Sequence, residues 1–110
     1  MHVTVIGDGK VGHLLADSLA REGHDVVIVD RSEVALRKSV DTLDVLCVRG
    51  NGANIETLME ARADKAEIFI AATTEDETNM LCCLISYLYL NPQIHRKQCL
   101  IYLPPIRRKD

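Results

Sequence analysis

Three glycines, Gly7, Gly9 and Gly12, follow directly on a short apolar run of Val3, Val5 and Ile6. An amphipathic stretch begins at once, with Val11, Leu14, Leu15, Ser18 and Leu19 at helical spacing. The pattern is strand, tight turn and helix, with G-x-G-x-x-G across the junction. Its chemistry is recognition of an anion rather than bond making. Gly7 permits a sharp exit from the strand, Gly9 leaves room for a pyrophosphate against the backbone, and Gly12 lets the helix approach the strand. The first-turn amides of such a helix lack internal acceptors and can donate to a ligand. The field at that helix end adds about 0.3–1 kcal/mol toward an anion.

A turn of this kind also occurs in α/β domains that bind nothing, so the residues downstream decide. A second apolar run, Val26-Val-Ile-Val29, ends at Asp30, 18 positions beyond Gly12. The dinucleotide fingerprint places an acid about 20 residues on, where it accepts from ribose hydroxyls. A carboxylate there would repel a 2′-phosphate, which favours NAD or an adenine nucleotide over NADP. Arg31 could stack on adenine, meet a phosphate, or simply carry a solvated turn charge. Asp8 fits a permissive turn position, and Lys10 adds positive charge beside the phosphates.

The 110 residues correspond to one domain, small for a complete enzyme. A net charge of −3 gives no electrostatic footprint for nucleic acid. No apolar run reaches the ~18–20 residues of a membrane span, and the N-terminus reads as a strand instead of a signal peptide. Cys47, Cys82, Cys83 and Cys99 form no CxxC pair, which points to reduced, buried thiols and no metal. His2, His13, His24 and His95 show no triad spacing with an acid and read as surface residues. No catalytic residue is assigned, and the chain is expected not to be an enzyme.

The remaining elements follow in a regular rhythm. Glu22-Gly-His24 stops the first helix, and a second strand spans 25–30. Ser32 caps a helix carrying Val34, Ala35, Leu36 and Val40, and a third strand runs over 43–49. Gly50-Asn51-Gly52 leads to a short helix over 55–63, anchored by Ile55, Leu58 and Met59. The fourth strand, 66–72, precedes Thr74 as the cap of a long helix over 76–90, and 98–103 offers a fifth strand. This alternation predicts a Rossmann-like α/β fold: a parallel sheet in the order 3-2-1-4-5 with helices on both faces. Gly7–Gly12, Asp30, Asn51-Gly52 and Thr73-Thr74 then converge on the C-terminal rim of the sheet. Met80, Leu81, Leu84, Ile85 and Leu88 make one apolar stripe on the helix over 76–90, and Cys83, Tyr87 and Leu90 extend it to another face, so the helix needs a second cover. A two-fold dimer supplies one.

The chain resembles the N-terminal half of the TrkA family, the KTN or RCK-N domains of cytoplasmic regulators of bacterial potassium uptake. The resemblance covers roughly 1–95. It rests on Val5-Ile-Gly-Asp-Gly-Lys-Val-Gly12, Glu22-Gly-His-Asp-Val-Val-Ile-Val-Asp30, Leu46-Cys-Val-Arg-Gly-Asn-Gly52 and Ala71-Ala-Thr-Thr-Glu-Asp-Glu-Thr-Asn79. It implies a domain that binds NAD(H), or else ATP, ADP or AMP, as a signal without altering it. Gly7, Asp8, Gly9, Lys10, Val11 and Gly12 would then hold phosphates and Asp30 the adenosine ribose. Asn51 and Gly52 would flank adenine, Thr73 and Thr74 would line the nicotinamide or γ-phosphate side, and Asn79 would fix the following loop. It further implies homodimers or larger rings through the helices after strand four. The partner would be a membrane potassium translocator, with the domain held at the inner face of the plasma membrane. After Asn91 the sequence departs from the family pattern. Arg96-Lys-Gln-Cys-Leu-Ile-Tyr102 replaces the usual fifth strand, and the domain is expected to be C-terminally shortened, spanning 1–103 with a disordered tail over 104–110. The competing reading is the cofactor-binding fragment of an NAD-dependent dehydrogenase.

Overall fold

The computed structural model describes residues 1–90 and 98–101. The proposed tail over 104–110 and His95 lie outside them. Five strands, β1 (His2–Ile6), β2 (Asp25–Asp30), β3 (Leu46–Arg49), β4 (Ile68–Ala71) and β5 (Gln98–Ile101), form one sheet in the order β3-β2-β1-β4-β5. Every neighbouring pair is parallel. β1 is therefore central, with β2 on one side and β4 on the other, and the chain reverses its direction of winding there.

The interior strands alternate between two cores. Val3, Val5, Val26, Ile28 and Ile70 face α1 (Lys10–Arg21) and α2 (Glu33–Thr42), meeting Ala16 and Leu36. Ile6, Val27, Val29 and Phe69 face α3 (Ile55–Glu60) and α4 (Asp76–Ile85), meeting Leu58, Cys82 and Cys83. Helices thus cover both faces, as the uninterrupted apolar strands predict.

The helices bury faces other than the large apolar residues suggest. In α1 the inward side is Gly12 and Ala16, while Leu14 and Leu15 are exposed. A Cβ on Gly12 would stand 1.9 Å from the Gly7 carbonyl oxygen, so only glycine fits at that contact. In α2 the buried residues are Leu36 and Ser39, and Val34 and Val40 face outward. Only Leu58 anchors α3, which ends at Glu60 instead of 63. Arg62 follows with φ 59°, its N–H bonding Met59 O while that of Ala63 reaches Leu58 O. This is a Schellman stop with arginine where glycine is usual.

The single helix expected over 76–90 is two pieces. α4 ends at Ile85, and Ser86–Leu90 continue as a wider π turn. Each i→i+5 turn delays the helical phase, so the outer stripe swings around the axis. Ser32 caps α2 as anticipated, accepting from the Ala35 N–H at 3.2 Å. Thr74 does not cap α4. Glu75 occupies that position without a side-chain bond, and the Thr73 hydroxyl accepts the Glu75 N–H at 3.2 Å.

Candidate functional site

The C-terminal ends of β1, β2, β3 and β4 enclose a cleft of about 200 Å³. Gly7, Gly9, Asp30, Arg31, Asn51, Gly52, Thr73 and Thr74 all line it. Gly50, Glu75 and Thr78 join them and were not singled out from the sequence. Asp8, Lys10, Val11, Gly12 and Asn79 stand outside the lining.

Two backbone bonds set the mouth of the cleft. Gly7 N–H donates to Val29 O at 2.7 Å, and Gly50 N–H donates to Asp30 O at 3.0 Å. Gly7 has φ 103°, a left-handed value that lets the chain leave β1 sharply. Gly9 begins α1, and a Cβ built there would meet nothing within 4 Å. Gly9 lines the cleft, and the amides of Lys10, Val11 and Gly12 follow it in the first helical turn. The first intrahelical bond comes only at His13 N–H to Gly9 O, 2.9 Å. Donors, free volume and the helix-end field therefore coincide at one point. Gly52 plays a different part. A Cβ there would come within 2.4 Å of Ile6 Cγ2, so its bare backbone seats the β3 loop on the core.

Asp30 is held on both oxygens. Oδ2 accepts the Asp8 N–H and Oδ1 the Ser32 N–H, each at 2.7 Å. A carboxylate has about four acceptor sites, so two remain for ribose hydroxyls. Arg31, on the lining, is exposed. Asn51 fixes its own loop through Oδ1, which accepts the Ala53 N–H at 2.9 Å. On the opposite wall, buried Asn79 clamps the end of β4. Its Oδ1 accepts the Thr73 N–H at 2.9 Å and the Thr73 hydroxyl at 2.6 Å, while its Nδ2 donates to Thr73 O at 3.1 Å. Asn79 thus shapes the loop from beneath.

Asp8 and His13 depart furthest from the sequence reading. The Asp8 side chain is fully buried instead of joining the residues that line the cleft. Its Oδ2 accepts the Ser39 hydroxyl at 2.5 Å, and Oδ1 lies 3.3 Å from His13 Nδ1. His13 also approaches Ser39 Oγ at 2.9 Å. A contact between residues 26 and 31 positions apart carries no local spacing signal. Burial raises the Cys47 thiol above its ordinary value, and the negative charge of Asp8 adds to the rise. Cys82 is lowered, mainly by a hydrogen bond with the Cys83 side chain, with burial opposing. Among the described residues no group of His, Cys, Asp or Glu is arranged to hold a metal ion. No helix among them is long and apolar enough to cross a membrane.

A family model for the TrkA-N domain matches residues 3–98. The chain belongs to the TrkA-N domain family. It is similar to the Trk system potassium uptake protein TrkA homolog of Methanothermobacter thermautotrophicus, with 40% identity over 94 residues, 86% of this chain and 44% of that protein. TrkA-N chains of this kind make up less than half the length of the curated relatives matched. The fold is shared with the TrkA-N domain of the inner membrane protein YbaL from Escherichia coli, at a TM-score of 0.76 and 23% identity, covering 93% of this chain and 73% of that one. It is also shared with the AMP-bound Kef C-terminal domain of Shewanella denitrificans, at a TM-score of 0.74 and 18% identity, covering 92% and 58%.

Proposed function

We propose that this TrkA-N domain binds an adenine nucleotide, NAD(H) foremost and otherwise ATP, ADP or AMP, as a regulatory ligand of a potassium uptake system. The observation that carries the reading is the open face at Gly9 beside the pinned carboxylate of Asp30 in one cleft. Phosphates meet the amides at the start of α1, and the adenosine ribose meets Asp30. Asn51 and Gly52 flank the base, and Thr73 and Thr74 meet the far end of the ligand.

The names of the TrkA relatives support the potassium assignment, and the AMP in the Kef neighbour supports the ligand class. The cleft lining holds no histidine, cysteine or lysine among its residues. That suits a ligand that is bound and released unaltered.

The assembly follows from α4. Met80, Leu81, Leu84, Tyr87 and Leu88 all face outward, while Asn79, Cys82, Cys83 and Ser86 face the domain's own core. A second copy covers this stripe, and the pair acts on a membrane potassium translocator at the cytoplasmic face. Thermal melting with NAD, NADH, ATP, ADP and AMP tests the ligand. At 100 times its Kd a true ligand adds about 2.7 kcal/mol. No shift with any of the five would refute the binding reading, and a monomer by light scattering at high concentration would refute the dimer.

A further inference from the structure

Asp8 sits in the glycine turn, yet its side chain leaves the cleft and runs under α1 and α2. Its main-chain N–H and its carboxylate act in opposite directions. The N–H grips Asp30 Oδ2 at 2.7 Å on the ligand side. The carboxylate takes the Ser39 hydroxyl at 2.5 Å on the helix side, with His13 Nδ1 3.3 Å from its other oxygen.

The hydrogens in this cluster can be assigned. A carboxylate only accepts, so the single Ser39 hydroxyl hydrogen goes to Asp8. Ser39 Oγ can then only accept from His13, so the ring carries its hydrogen on Nδ1. Ser39 is fully buried and His13 is partly exposed. The result is a closed chain from α1 to α2 to the turn, with every donor used.

We propose that Asp8, Ser39 and His13 are positioning residues that set nucleotide affinity by fixing the glycine turn against Asp30, without touching the nucleotide. The proposal rests on the binding reading given above. A buried charge bonded by the Ser39 hydroxyl, with the one Nδ1–H of His13 shared between Ser39 Oγ and the other carboxylate oxygen, has one low-energy orientation. The Asp8 backbone inherits that orientation, which keeps its N–H on Asp30 and holds the adjacent Gly9 in its open conformation. Loss of one donor leaves the carboxylate undersatisfied, and the turn then adjusts to recover a partner. The sequence carries none of this as a motif, because the three residues belong to a turn and two separate helices.

The test measures NADH and ADP binding by calorimetry for the unchanged chain and for Ser39→Ala, His13→Ala and His13→Gln. Circular dichroism sets a temperature at which each is fully folded. Ser39→Ala and His13→Ala should weaken binding by about fivefold or more, within the range of indirect coupling between sites. His13→Gln, which keeps an N–H donor, should recover most of that loss. His13→Ala alters a partly exposed position and serves where Ser39→Ala fails to fold. A cycle with Asp30→Ala adds the decisive readout, because effects passing through the Asp8–Asp30 bond should be non-additive. Unchanged affinity in both alanine variants, or strict additivity with Asp30→Ala, would overturn the proposal and leave the binding reading intact. Failure of the unchanged chain to bind any of NAD, NADH, ATP, ADP and AMP would overturn both. In the free protein, ¹⁵N spectra should show His13 protonated on Nδ1, and an Nε2–H neutral ring would contradict the assignment.

Discussion

The two rims of the sheet make an instructive pair. At the N-terminal rim a hollow of about 290 Å³ lies among His2, His24, Asp25, Asp44 and Arg62. At the C-terminal rim the cleft is smaller, about 200 Å³. Volume alone would select the N-terminal rim. The larger hollow is edged by side chains that pair with one another, His2 with Asp25 at 3.4 Å for example. The smaller one is edged by backbone, by the start of a twelve-residue helix and by one carboxylate held on two amides. In a parallel sheet the helices that follow the strands begin at the C-terminal rim, so their donors gather there. Fixed donors beside empty space, rather than space itself, are what favour the proposed site at the C-terminal rim.

Gly12→Val attacks the comparison hardest, because it destroys the C-terminal rim itself. Its side chain would overlap the Gly7 carbonyl, and we expect a loss of roughly 3 kcal/mol in urea unfolding. A well-folded, nucleotide-binding variant would show that the close approach of α1 is dispensable. Asp30→Ala comes next. Charged hydrogen bonds contribute about 1.5–3 kcal/mol each, so calorimetry should find affinity at least about tenfold weaker. Affinity left unchanged would remove Asp30 from the site.

Gly9→Ala sharpens the contrast by separating stability from binding. Its Cβ meets nothing in the free protein, so the unfolding free energy should move by no more than about 0.5 kcal/mol. The methyl group nevertheless fills the place where a phosphate approaches, and ligand-induced stabilisation should fall steeply. If both quantities stay as they were, the phosphates lie elsewhere. Arg62→Gly probes the opposite rim and should have the smallest effect. Relief of the left-handed arginine should raise stability by about 0.5–1 kcal/mol, with nucleotide affinity unaltered. A change in affinity would tie the N-terminal hollow to the ligand and undo the distinction between the rims.

Much of the C-terminal rim was legible from local sequence. Strand, turn and helix are short-range events, so Gly7, Gly9 and Asp30 could be placed from spacing alone. Asn51 and Thr73 followed once the strands were taken as parallel. Asn79 was read as fixing a loop, and its three bonds to Thr73 do so. Helix orientation was harder. The leucines at 14 and 15 belonged to the amphipathic pattern of α1, yet Gly12 and Ala16 hold its buried face, and in α2 Ser39 is buried while Val34 and Val40 are exposed. A helix packed close to a sheet has little room between backbones, so residue volume overrides hydrophobicity in choosing its face.

By itself, then, the sequence determined the order of elements, the glycine turn, and the acid that completes it, since each depends on neighbours a few residues apart. Tertiary structure alone decided which helix faces turn inward and what the Asp8 side chain does. Both depend on groups brought together from distant parts of the chain: Ser39 meets Asp8 and His13 only after α2 has docked beside α1 on the same face of the sheet. Spacing along the chain carries no record of such a meeting, because burial creates the need for partners and docking supplies them.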